Sequence, residues 1–500
     1  MRESLGDILG SATGVAGFGR ERGGRSTRLS RDYVPSSIGD LAIVLHSHMP
    51  YVEGFGTYPF GEEWLFDAVA RSYLPVLELA HDITITVTPV LADQLEATGV
   101  PERMTSFLRR HRLDAARRDA SEGPDELRPP ARAEAERYEH VLDGLAALRG
   151  DVLDAFRRAE ERNVALLPSA ATHAVLPLVA TTAGRRLQID AGLRSHRRRF
   201  GPTCGFWLPE CAYRPGLEPL LAERGLRFFC TDQSAHEAPL QALAPARAGA
   251  GLTAFTLDWT AVELVWSARG YPSDPTYAEY HRLSMAGTRL WAIGGGPYDA
   301  AAAAERARRH AREFAAKLAD RLAAFRARRR KPGLATFAID TELLGHWWAE
   351  GPVWLESVLR EAPRRGIRLL TLPEALERHE AEERPVREST WGEGKDLRTW
   401  DSPEAAELTW APRRLELRVL RAIGDGLDGA AAERAARELL ALEASDWAFL
   451  DRRRQAGDYP YQRSTGHARA LLDAIHAPAP PDPRLRHLAP DLSLAPLTEP

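Results

Sequence analysis

Short apolar runs recur along this chain, separated by long Arg-, Glu- and Ala-rich helical patterns, and that alternation constrains the fold more than any other feature. Leu41–Leu45, Ile83–Val87, Val164–Leu167, Leu226–Cys230, Arg289–Ile293, Leu334–Ile339 and Ile367–Leu370 each read as a buried strand. Strands alternating with helices form a parallel α/β sheet covered by helices, and this many units predicts a closed or nearly closed barrel over about 40–385. The 500 residues exceed what one core usually supports, so additions to the barrel are expected. Residues 92–160 read as a helical insertion. Residues 232–285 show little regular pattern, and 232–270 is expected to be a mobile loop. From 386 the strand signals stop, which predicts a helical C-terminal domain at 386–500 ending in a Pro-rich tail. Residues 1–39 carry no periodicity and are expected to be a disordered leader.

Composition narrows the function. Lys and Arg total 66 against 70 for Asp and Glu, a net charge of -4, which argues against a nucleic-acid binder. Three cysteines cannot build a disulfide framework at this size, and no stretch approaches 18 apolar residues. A cytoplasmic protein with no membrane partner is expected. Twelve Trp and twelve Tyr accompany fifteen Phe, and the Trp cluster in a few segments. Clustered Trp line a groove for flat ligands or pack a core, and composition alone does not separate the two.

Barrel active sites form at the C-terminal ends of the strands, so the residues just beyond each strand matter most. After Leu45 comes His46-Ser-His48-Met-Pro50, and past Leu167 comes Ala171-Thr-His173. Gly205-Phe-Trp-Leu-Pro-Glu210 sets a carboxylate among apolar and aromatic residues. Ile339 leads into Asp340-Thr-Glu-Leu-Leu-Gly-His346-Trp347-Trp348. Glu210 and Asp340 on different strands are the material for glycoside hydrolysis, one as nucleophile and the other as acid/base. Glu210 could instead be a buried salt-bridge partner, and Asp340 a helix N-cap. His46, His48, His173 and Asp340 could hold zinc, or the histidines could bond sugar hydroxyls. Trp391 and Trp400, nine apart in a Gly-containing loop, form either an aromatic lip over a cleft or the glue between two domains.

These segments together resemble glycoside hydrolase family 57, and within it the α-1,4-glucan branching enzymes. The resemblance rests on five ordered motifs: His46-Ser-His-Met-Pro50, Ala171-Thr-His-Ala-Val-Leu-Pro177, Trp207-Leu-Pro-Glu210, Asp340 through Trp348, and Trp391 through Trp400. Val265 through Asp274 and Ala444-Ser-Asp-Trp-Ala-Phe449 resemble the branching subgroup. The resemblance implies a (β/α)7 barrel, a retaining double displacement on α-glucan, and no required metal or cofactor. It implies Glu210 as nucleophile and Asp340 as acid/base. His46, His48, His173, Trp207, Tyr213, Trp259, Trp266, His346, Trp347, Trp348, Trp391 and Trp400 become candidate substrate contacts. One departure stands out: no Tyr occurs between Tyr213 and Tyr271, where the branching enzymes carry one on a mobile loop. Trp259 is the candidate replacement, and a glucan hydrolase or 4-α-glucanotransferase is the competing expectation. A glucan-binding protein without catalysis is the alternative of another class, and the His cluster alone would suit a metal-dependent deacetylase.

Overall fold

The computed structural model describes residues 37–53, 61–476 and 487–499. Most of the expected leader, and residues 477–486 of the Pro-rich tail, lie outside the described residues. Among the described residues, nine strands form two sheets. They are β1 (Gly39–Ser47), β2 (Thr84–Val87), β3 (Ala165–Leu167), β4 (Gly205–Phe206), β5 (Phe228–Thr231), β6 (Ala246–Arg247), β7 (Thr253–Thr256), β8 (Gly333–Asp340) and β9 (Ile367–Leu369). One sheet runs β3-β2-β1-β8 with β9 on β1, and the other runs β4-β5-β7-β6.

Parallel bridges join the two sheets at both borders, from Ser169 to Trp207 and from Leu257 to Thr336. Strands β1, β2, β3, β4, β5, β7 and β8 therefore follow one another around a closed parallel ring. Every residue of β1 is buried, as a strand covered on both faces must be, which is why it reads as a continuous apolar run. Strand β9 lies beside the N-terminal half of β1, and β6 pairs antiparallel with β7, so neither is a member of the ring.

Three features depart from the expected layout. Arg289–Ile293 is not a strand: Trp291 and Ala292 make isolated bridges to Pro297 and Ala278, and Leu290 is buried against Leu127 and Ala131. Its apolar character serves a contact with the helical insertion. The expected loop at 232–270 contains β6 and the ring strand β7, whose sequence Thr-Ala-Phe-Thr offers no apolar run. Strand β4 is two residues long, too short to stand out in any pattern.

Helices occupy the predicted insertion between β2 and β3, the longest being Arg128–Ala147. The helix Ala300–Arg329 starts where the Asp299 carboxylate accepts from the amides of Ala301 and Ala302, and it buries Phe314, Leu318 and Leu322. Four helices, Ala406–Gly424, Gly429–Leu442, Asp446–Arg453 and Tyr459–His476, form the C-terminal domain. The core shared by the first, second and fourth of these takes in Tyr51 and Leu187 from the barrel, so the two parts dock through apolar contact. Residues 487–499 return to the barrel, where the Ala489 amide donates to Asp93 at 2.7 Å. No helix among the described residues is long and apolar enough to cross a membrane.

Candidate active site

The C-terminal ends of the ring strands surround a cavity of about 570 Å³. Asp340 closes β8 in register with His46 on β1, which brings the first and fourth motifs side by side. Glu210 follows β4 in a turn where it and Cys211 both hold left-handed backbone, with φ of 60° and 48°. Each such non-Gly conformation costs about 1–3 kcal/mol and persists only where the surroundings impose it. His173, also at φ 60°, faces the same cavity. Glu210 and His173 thus both reach the cavity from strained backbone.

The carboxyl groups are crowded and dry. Burial pushes Glu210 up to about 8, the neighbouring Asp340 adds to this, and the Trp391 indole N–H opposes it by donating to Oε2 at 2.7 Å. Burial likewise raises Asp340 to about 6, against the pull of a charged His48. Glu342, two residues on, is raised to about 8 by burial and by Asp340, while accepting from the Tyr73 hydroxyl and the His48 amide. Burial works against charge on His48, yet Asp446 at 2.9 Å, then Glu342 and Glu210, raise it overall. Of the three histidines His46, His48 and His173, His48 is the one whose charged form the surroundings favour. Burial, with the charge of His48, holds His46 and His173 well below the usual imidazole value. They are neutral, and their Nε2 atoms share a hydrogen bond of 2.9 Å. No group of three or more His, Cys, Asp or Glu among the described residues is placed to hold a metal ion.

His46, His48, His173, Glu210, Trp259, Trp266, Asp340, His346, Trp347, Trp391 and Trp400 all line the cavity. Three expected contacts do not. Trp207 is buried behind the cavity with its ring stacked 4.9 Å from that of His46. Tyr213 turns away from Glu210, donates to Glu218 at 2.6 Å and stacks on Phe229. Trp348 is 2% exposed and packs on Trp354 and Tyr277, because its neighbour Trp347 takes the outward position. Trp400 lines the cavity and also packs with Leu408 and Trp447, so it serves as lip and domain glue at once. Trp259 donates its indole N–H to Asp232, and Lys395 Nζ lies 3.1 Å from its ring centroid.

Sequence reasoning passed over Glu342, Tyr280 and Asp446. Glu342 was available from its place two residues beyond Asp340. Asp446 lies in the helical domain, inside the stretch Ala444–Phe449 that resembles the branching subgroup, but nothing local ties it to His48 of the first motif.

A parallel barrel with paired buried carboxyls in an aromatic cavity defines a glycoside-cleaving class of enzyme. The model of glycosyl hydrolase family 57 matches residues 42–387, and the chain belongs to this family. A second model, the C-terminal domain of 1,4-alpha-glucan branching enzymes, matches residues 409–488. A 1,4-alpha-glucan branching enzyme of Thermococcus kodakarensis is 34% identical, over 86% of this chain and 72% of that protein. The crystal structure of a family 57 branching enzyme from Pyrococcus horikoshii superposes with a TM-score of 0.87 at 29% identity, covering 92% of this chain and 97% of that one. The alpha-amylase AmyC of Thermotoga maritima shares the fold, with a TM-score of 0.81 at 23% identity and coverage of 92% and 99%.

Proposed function

We propose that this protein is an α-1,4-glucan branching enzyme that cuts an α-1,4-linked chain and rejoins it through an α-1,6 bond. One observation carries the reading. The two matched regions are the family 57 barrel and the branching-enzyme C-terminal domain, and in the structure both contribute to a single cavity. In this reading Glu210 attacks the anomeric carbon to form a glycosyl ester while Asp340 protonates the departing oxygen. Asp340 then takes the proton from the 6-hydroxyl of an acceptor chain, which displaces Glu210.

This cycle starts with one proton shared by the two carboxyls. Of the two, Glu210 is the weaker acid, with values near 8 and 6 for the pair. A bound sugar reverses the order in this reading: positive charge developing at the anomeric carbon favours the Glu210 anion, which Trp391 already supports, and the proton passes to Asp340. Below about pH 6 both groups are protonated and the nucleophile is lost. Above about pH 8 both are ionised and the acid is lost. The expected kcat/KM profile on maltooligosaccharide is therefore a bell with limbs near 6 and 8, belonging to the pair and not to either residue. A flat profile through about pH 9 would contradict the shared proton.

The competing reading, a hydrolase or 4-α-glucanotransferase, draws on the missing loop tyrosine. Against it, Trp259 is held at the cavity by Asp232 and Lys395 and supplies an aromatic wall there. Digesting the product formed from amylose with a debranching enzyme tests the choice: short released chains support branching, and none supports the alternative. Glycogen-type synthesis follows from this activity. A cytoplasmic setting fits the three free cysteines.

A further inference from the structure

We infer that Tyr280 and Arg289 form a built-in support that aims Trp347 at the acceptor chain, making this trio the acceptor-binding wall of the cavity. The inference rests on the roles proposed above for Glu210 and Asp340. Trp347 lies on the excursion that leaves β8 just after Asp340, and it is 47% exposed while lining the cavity. An indole exposed within the cavity offers a sugar ring a flat apolar face on which to stack.

It is also held. Tyr280 packs on Trp347 with ring centroids 4.5 Å apart and lines the same cavity. The Arg289 guanidinium lies 4.2 Å from the Tyr280 ring centroid and donates to the His346 carbonyl at 2.7 Å. Arg289 is buried, and the Glu134 carboxylate favours its charge. Its close contacts are the Tyr280 ring and the backbone just before Trp347. The arrangement restricts Trp347 before any sugar arrives, which reduces the ordering cost of binding.

The side of the cavity follows from the chemistry. The acid/base stands beside the leaving oxygen and later beside the acceptor hydroxyl, whereas the nucleophile attacks from the other side of the sugar. The wall continuing from Asp340 thus flanks the leaving group and the acceptor. Tyr280 is a positioning residue, and Trp347 is the contact.

The test uses the full-length enzyme with amylose as donor and a fluorescently labelled maltooligosaccharide as acceptor. Label incorporation reports transfer through either linkage, and new reducing ends report hydrolysis. Trp347→Ala should lower the transfer-to-hydrolysis ratio about tenfold and raise the acceptor KM by a similar factor; bond cleavage falls as well, because the same wall holds the leaving segment, but by clearly less than transfer. Tyr280→Ala should move both quantities the same way by a smaller factor, and Tyr280→Phe should restore them. An unchanged ratio in folded Trp347→Ala protein, or equal loss of transfer and cleavage, would overturn the assignment. Because either linkage is counted, a wild-type enzyme making only α-1,4 bonds would refute branching while leaving this wall testable.

Discussion

Glu210→Gln is expected to lower turnover on amylose by about 10⁴-fold or more while making the folded protein more stable. The amide cannot form the glycosyl ester, and removing a covalent nucleophile is among the largest single losses an enzyme can suffer. The gain in stability comes from the same environment. In the unfolded chain a glutamate ionises around its ordinary 4.5, whereas burial keeps the folded Glu210 protonated to about 8. Between those values the folded state binds more protons, so stability falls as pH rises, by up to about 1.4 kcal/mol per pH unit for one proton. Gln carries no such liability. Thermal melts of both proteins from about pH 5 to pH 8 should show the variant's advantage growing with pH. A variant less stable than wild type across the whole range would mean that Glu210 is a structural partner in the fold.

Asp340→Asn is expected to cost about 10²–10⁴-fold on glucan, and far less on a glucoside whose leaving group needs no proton. An aryl glucoside with an acidic phenol departs unaided, so its first step survives and the glycosyl ester accumulates. Azide, which attacks without giving up a proton, should then rescue release of the sugar and yield a glycosyl azide. These effects separate an acid/base from a carboxylate that only shapes the cavity, since a shaping residue would hurt both substrates alike. Near-normal rates on glucan would transfer the role elsewhere, with Glu342 as the first candidate because it lies in the same buried carboxyl cluster.

How much of this was legible in the sequence depended on whether a residue's partners were local. Strand β1 was plain because burial on both faces demands an unbroken apolar run. Strand β7 escaped notice because a buried Thr at each end leaves only Ala-Phe between them and no apolar run, and Arg289–Ile293 misled because its apolar residues answer to the helical insertion. In the site, Glu210 and Asp340 stood out as carboxylates at strand ends. Adjacent tryptophans in one motif did not share a fate: Trp347 faces the cavity, and Trp348 enters the core. Composition cannot decide which way successive side chains point once the chain leaves a regular strand. Asp446 was hidden for a different reason. Its bond to His48 spans 398 positions and exists only when the helical domain is docked.

In the proposed reaction the cavity moves a glucan segment onto a 6-hydroxyl, and the product itself records whether it does. Proton NMR of amylose after exhaustive treatment with the enzyme resolves α-1,6 from α-1,4 anomeric protons and counts reducing ends. A branching enzyme gives a rising α-1,6 signal with few new reducing ends, and the Glu210→Gln protein gives no change. Accumulating reducing ends without any α-1,6 signal would contradict the proposed reaction.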